Sequence, residues 1–198
     1  MAESELPIPE LEEILEKVPA GRRLDIFIRI VDLFGKRSNR YESEQVEVFD
    51  NVLGRILAGS DSGLRTQMSR RLASMETVPP GTIAALACDD NIAIAEPILL
   101  NFANMQEPVL IDVIQTKSQE HRLAIACRRQ IKADVADALI ESRDDVVVRY
   151  LAGNKGAAIS HTGFQSLVEK AKTDGALAEQ LKSRRDMPAP FKKTLEGA

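Results

Sequence analysis

Apolar side chains recur along this chain at the spacing of amphipathic helices. Leu24, Phe27, Ile28, Val31 and Phe34 share one helical face, and Gly35 followed by residues 36–40 reads as a cap and turn. Val46, Phe49, Leu53, Ile56 and Leu57 mark a second helix ending at Gly59, so residues 21–60 predict a helical hairpin. Ahead of it, two prolines predict an extended start up to Pro9. Pro9–Val18 then predicts a short helix with Leu11, Ile14, Leu15 and Val18 on one side, broken by Pro19, Ala20 and Gly21.

Downstream the pattern becomes a repeat. An apolar residue recurs in the same local setting at Val78, Met105, Ile131, Ile159 and Met187, separated by 27, 26, 28 and 28 residues. Each is followed by a segment that starts a helix: VPPGT, MQEPV, IKADV, ISHTG and MPAPF. Five residues past four of these anchors lie Ile83, Leu110, Ala136 and Phe164, and eight past all five lie Leu86, Val113, Leu139, Leu167 and Leu195. If each anchor is the residue before an N-cap, its plus-five residue stands where a hydrophobic staple meets it. Lys192 breaks the pattern in the fifth unit, with Phe191 beside it as a substitute, and Ser160 alone among the presumed caps is of a favoured type.

A second helical stretch precedes each anchor, at residues 64–73, 92–103, 122–127, 146–152 and 177–182, with Pro97 expected to kink or shorten its helix. Each unit then reads helix, turn, helix. One such unit cannot bury its apolar stripe alone, so successive units must stack. The expected fold is all-α, an α-solenoid of about 5–6 stacked helical hairpins of the HEAT-like kind. Its domains are an acidic leader with a short helix over 1–20 and a single helical-repeat domain over 21–198. The latter comprises the N-terminal hairpin (21–60) and repeats of 26–28 residues (61–198). The polar last unit, with Lys192, Lys193 and Glu196, reads as a cap.

The segments RRLDIFIRIVDLF, YESEQVEVFDNVLGRI, TKSQEHRLAIACRRQI, DDVVVRYLAGNKGAAIS and FQSLVEKA resemble the bacterial family called domain of unknown function 2336, over roughly residues 20–196. LAGN-like and AIA-like stretches also occur in HEAT-like and leucine-rich-variant repeats. The resemblance implies a helical-repeat protein of the bacterial cytoplasm and carries over no enzymatic role to any residue.

Composition narrows the classes. The formal charge is −4, yet residues 1–20 hold six Glu against one Lys, a net of −5, which leaves +1 for residues 21–198. That balance disfavours indiscriminate binding to nucleic acid or anionic lipid. No apolar run approaches the roughly 20 residues needed to cross a bilayer, and the start MAESELPIPE has no secretory character, so a cytoplasmic location is expected. Aromatics are 4% of the chain and Trp is absent, which leaves Leu, Ile, Val and Ala to fill the interior. Cys88 and Cys127 stand far apart without a CxxC pattern and read as buried reduced thiols, not as a disulfide or a metal site.

Candidate chemistry is sparse. The two histidines, His121 and His161, fall in different units. His161 reads as a neighbour of a helix cap rather than as the partner of Ser160 in catalysis, because no third orienting residue is identifiable. His121 reads as a packing histidine. The stretch GNKGAA at 153–158 lacks the Lys-Ser/Thr and the preceding strand of a phosphate loop, and it reads as a helix C-cap with Gly153 and Asn154 in the left-handed conformation.

One cluster is sharper. Arg128 and Arg129 precede Ile131 by three and two residues, Arg184 and Arg185 precede Met187 identically, and Lys155 lies in the corresponding turn between them. Stacking aligns these turns, and the five cations form a candidate anion-binding ridge, weighed against simple solvated turns. No catalytic residue, metal or cofactor is expected. The first expectation is a non-enzymatic protein-interaction module, a scaffold or regulatory adaptor with a protein partner. The alternative is a binder of a small anionic ligand, a nucleotide second messenger or a phosphorylated segment, through the Arg-rich turns. A homodimer through the N-terminal hairpin, whose Phe27, Phe34 and Phe49 are either core or interface, stays open, as does docking of the acidic leader on the body.

Overall fold

The computed structural model describes residues 19–196, and over them the chain is all-α. The helices are α1 (Ala20–Gly35), α2 (Ser43–Ala58), α3 (Ser62–Leu72), α4 (Pro80–Ala87), α5 (Ile92–Asn101), α6 (Glu107–Thr116), α7 (Gln119–Ala126), α8 (Ala133–Glu141), α9 (Asp145–Gly153), α10 (His161–Ala171), α11 (Gly175–Lys182) and α12 (Ala189–Glu196). The expected helix over 9–18 lies outside the described residues.

The anchors stand where the spacing places them. Pro79, Gln106, Lys132 and Ser160 are the N-caps of α4, α6, α8 and α10, so Val78, Met105, Ile131 and Ile159 each occupy the position before a cap. Their plus-five residues Ile83, Leu110, Ala136 and Phe164 are buried, as are all five plus-eight residues. Of these caps, Ser160 accepts a hydrogen bond from Gly163 N–H at 2.8 Å, while Pro79, Gln106 and Lys132 make no such bond. Four of the odd-numbered helices start differently, on short polar side chains that cap them, whereas α1 starts on Pro19 and Ser118 of α7 makes no capping bond. Asp61, Asn91, Asp144 and Asp174 accept from backbone N–H groups of α3, α5, α9 and α11.

Packing sorts the helices by parity. In the odd set α1 packs on α3, α3 on α5, α5 on α7, α7 on α9 and α9 on α11. In the even set α2 packs on α4, α4 on α6, α6 on α8, α8 on α10 and α10 on α12. Chain neighbours lie side by side across short turns, as in α4 with α5 and α10 with α11, because four and three linking residues leave the next helix nowhere to go but alongside. The longer segments that carry the anchors join helices that touch less.

The core is aliphatic and runs the length of the described chain, in one cluster from Phe27 to Ala157 and a second from Val148 to Leu195. Phe27 is buried in the first cluster, while Phe34 is buried against half-buried Tyr41 and Phe49, in a ring cluster with centroids 5.1–5.7 Å apart. One local expectation needs correction, because helix α1 continues through Gly35 to a right-handed Lys36. Helix α5 holds Pro97 in its interior and ends at Asn101, short of the expected 103.

Candidate functional site

The five cations of the turns part company. Arg128 and Arg184 point inward and are 6% and 2% exposed, whereas Arg129, Lys155 and Arg185 are exposed. Arg128 donates from Nη1 to the Leu99 carbonyl and from Nη2 to the Phe102 carbonyl at 2.7 Å, which closes the C-terminal end of α5. Burial lowers its pKa from the usual arginine value, and the carbonyl dipoles take the place of lost water. Arg184 does the same for α9, reaching Ala152, Asn154 and Ala157 carbonyls at 3.2, 2.6 and 2.6 Å while its fork pairs with Asp186. It also lies 5.8 Å over the Phe164 ring.

Asparagines fill the same office between them. Asn154 Nδ2 donates to the Ala126 and Arg128 carbonyls, both at 2.8 Å, beyond the end of α7, and Asn104 Nδ2 reaches the Glu76 carbonyl at 2.9 Å after α3. From α3 to α9, then, each odd helix has its exit tied by a side chain from the turn following the next odd helix. Asn154 is therefore a C-cap of extended backbone with a working side chain, not a left-handed residue, and Gly153 is the last residue of α9. Arg143, with φ 56°, is the non-glycine residue at positive φ among the described residues.

These ties bring the turns into contact. Ile131 N–H donates to the Gly156 carbonyl at 3.1 Å and Ala158 N–H to the Ile131 carbonyl at 2.8 Å, a short parallel bridge between turns. A Cβ on Gly156 would stand 1.9 Å from the Arg129 carbonyl oxygen, so only glycine fits the approach. Arg129 and Lys155 thus sit on touching turns, and the turn of Arg185 is tied to theirs by Arg184.

The N-termini of α4 and α10 hold groups of the chain itself. Asp50 of α2 accepts from Gly81 and Thr82 N–H at 2.9 and 2.6 Å at the start of α4. At the start of α10, Ser160 Oγ donates to Asp137 at 2.9 Å. Ser160 does not pair with His161, which is exposed and lies 5.0 Å, ring to ring, from Phe191.

His121 is 1% exposed and packed, with Nδ1 2.8 Å from Ser118 Oγ and Nε2 3.0 Å from the Asp89 carbonyl. Neither thiol is fully buried. Cys88 is half-buried and Cys127 exposed, and both are free. Burial raises both thiol pKa values, with Asp112 adding to the rise at Cys88, so neither is primed as a thiolate. Among the described residues no group of His, Cys, Asp and Glu is placed to hold a metal ion, and no helix is long and apolar enough to cross a membrane.

Sequence reasoning overlooked the outer face of α9. Val146 and Tyr150, one helical turn apart, are 40% and 57% exposed. Tyr150 borders a shallow groove of about 440 Å³ that Cys127 and Gln180 also line, so the groove draws on α9, α11 and the turn after α7. An exposed Val–Tyr pair at i and i+4 was visible as spacing, but nothing in the spacing said which side of α9 faces out.

The profile of a bacterial family described as "Uncharacterised protein conserved in bacteria (DUF2336)" matches residues 94–195. No curated protein and no solved structure matches the chain.

Proposed function

The chain belongs to the bacterial family DUF2336, a membership that brings no activity with it, and from that premise we propose that it is a non-enzymatic protein-interaction module, a scaffold or regulatory adaptor built as an α-solenoid of about 5–6 stacked hairpins. The observation that carries the reading is the exposed Val146–Tyr150 pair beside the groove on the odd-helix side. The packing of each odd helix on the next makes that side continuous over several units. An exposed tyrosine flanked by apolar surface and a hydrogen-bonding rim is the residue environment from which interface hot spots are made. A continuous layer of helices gives a partner room to span more than one unit.

A second reading keeps the three outward cations. Arg129, Lys155 and Arg185 stand on turns in contact, a spacing that suits a small anionic ligand such as a nucleotide or a phosphorylated segment. We rank it second because Arg128 and Arg184 are committed to carbonyls and the start of α10, which follows the turn of Lys155, carries Asp137.

Capture from the native cell with three proteins separates the two. Under the first reading the parent recovers a defined protein, Val146→Asp/Tyr150→Asp loses it, and Arg129→Glu/Lys155→Glu/Arg185→Glu keeps it. Under the second, phosphate compounds raise the melting temperature of the parent and of the Tyr150 variant but not of the charge-reversed one.

A further inference from the structure

We infer that the joint between α7 and the turn ahead of α5 holds a bound proton, with His121 as an imidazolium, so that a pH-sensitive fastening is built into the array. The hydrogen bonds fix where the protons go. His121 is 1% exposed, so its ring is bonded by the chain and not by bulk water. Its Nε2 lies 3.0 Å from the Asp89 carbonyl oxygen, which only accepts, so Nε2 carries a hydrogen. Its Nδ1 lies 2.8 Å from Ser118 Oγ, a hydroxyl with one hydrogen to give. Ser118 Oγ is also 2.5 Å from Glu120 Oε2, and a carboxylate oxygen only accepts. The hydroxyl therefore donates to Glu120, and its lone pair receives Nδ1–H. Both ring nitrogens then carry hydrogens.

Glu120 stays ionised, since the Ser118 hydrogen bond first, and then its own backbone N–H, hold its carboxyl below the usual glutamate range. Charged groups of the elements packed on α7 are matched or exposed. Arg65 of α3 takes Asp89 at 2.5 Å, Lys117 takes Asp90 at 2.6 Å, Arg122 takes Asp144 at 3.6 Å and Lys170 takes Asp145 at 2.5 Å. Arg149 of α9 takes Asp174, and Ser160 holds Asp137 of α8. Asp112 of α6, beside Cys88, is exposed, as are Glu96 of α5 and Asp134 and Glu141 of α8. Glu120 has no fixed cation among the described residues, and the imidazolium is the charge it meets through Ser118.

The unfolded chain releases its histidine protons above about pH 6.5, while the joint keeps one, so the fastening is strongest in acid and is lost once the pH is high enough to strip the ring. A stripped Nδ1 takes the Ser118 hydroxyl for itself. Glu120 Oε2 then faces bare lone pairs on Oγ, and the first turn of α7 loosens from the turn ahead of α5.

Nitrogen NMR of the full chain tests this in a His161→Gln background, where His121 is the one histidine left. His161 and Glu120 are both exposed, so neither substitution endangers the fold. At about pH 7.5 a ring free in water is mostly neutral. The expected result is two ring N–H groups at His121, and loss of the one at Nδ1 in Glu120→Gln, whose amide donates to Ser118 Oγ and frees the hydroxyl for the ring. The melting temperature should also fall between about pH 6.5 and 8.5 more steeply with Glu120 than with Glu120→Gln. A single ring N–H at that pH with Glu120 in place would overturn the inference, and so would two that survive Glu120→Gln. Neither result bears on the α9 face, so this inference and the proposed function fail separately.

Discussion

Arg128 places its Nη2 2.7 Å from the carbonyl oxygen of Phe102, 26 residues earlier in the chain, and so fastens the turn after α7 to the end of α5. Arg184 repeats the arrangement on Ala157 at 2.6 Å. Each of these guanidinium groups satisfies at least two carbonyls that water does not reach, which makes them parts of the frame.

Replacing either arginine leaves those carbonyls orphaned. Arg128→Ala and Arg184→Ala are each expected to cost about 1–3 kcal/mol, read as a lower urea midpoint. Lysine rescues only in part, because one ammonium cannot serve carbonyls spread along a planar fork. Arg129→Ala and Arg185→Ala, on exposed neighbours, should stay within about 0.5 kcal/mol of the parent. Equal effects in the two pairs would contradict the inward and outward assignment.

Gly156 and Gly54 make a matched contrast. A methyl group on Gly156 meets backbone at 1.9 Å, and backbone cannot rotate away, so Gly156→Ala should cost about 1–3 kcal/mol or more by forcing the two turns apart. Gly54 sits inside α2 with nothing within 4 Å of its added Cβ, so Gly54→Ala should stabilise by roughly 0.5–1 kcal/mol. Thermal melts of the two variants beside the parent check both signs.

Asp174 ties acid stability to the start of α11. The Leu177 N–H, first, and then the Arg149 guanidinium hold its carboxyl below the usual aspartate range. A depressed folded pKa means stability that is present above the unfolded value, about 3.9, and is lost as pH falls through the folded one. Asp174→Asn keeps a capping side chain but removes the charge. The variant should therefore be less stable than the parent at neutral pH, and the two unfolding midpoints should converge as pH drops below about 4. Parallel midpoints over that range would remove the carboxylate from the account.

Much of the helix pattern was legible because burial leaves a period. Val78, Met105, Ile131 and Ile159 precede helix starts as their spacing requires, and the residues five further on are buried. Asp61, Asn91, Asp144 and Asp174 are of the favoured capping types, and the reading passed over them because it followed the apolar anchors alone. The ties were not legible, because the four exits alternate between two residue types, Asn104 and Asn154 standing one and five residues before the next anchor and Arg128 and Arg184 three. Adjacent residues of an extended turn point to opposite sides, so the pair Arg128–Arg129 gives no sign of which one goes in. Gly153 and Asn154 misled for a related reason. Composition permits a left-handed cap, but the carbonyls of Ala126 and Arg128 lay within reach of the Asn154 side chain, and extended backbone delivers it to them.

The central claim is that the units stand in file and so present one long face. Small-angle scattering from the intact single chain tests it most directly. A compact body of 198 residues has a radius of gyration of about 16 Å. Stacked units predict a clearly larger radius and a pair-distance distribution with a long tail. A radius at the compact value with a symmetric distribution would contradict the account.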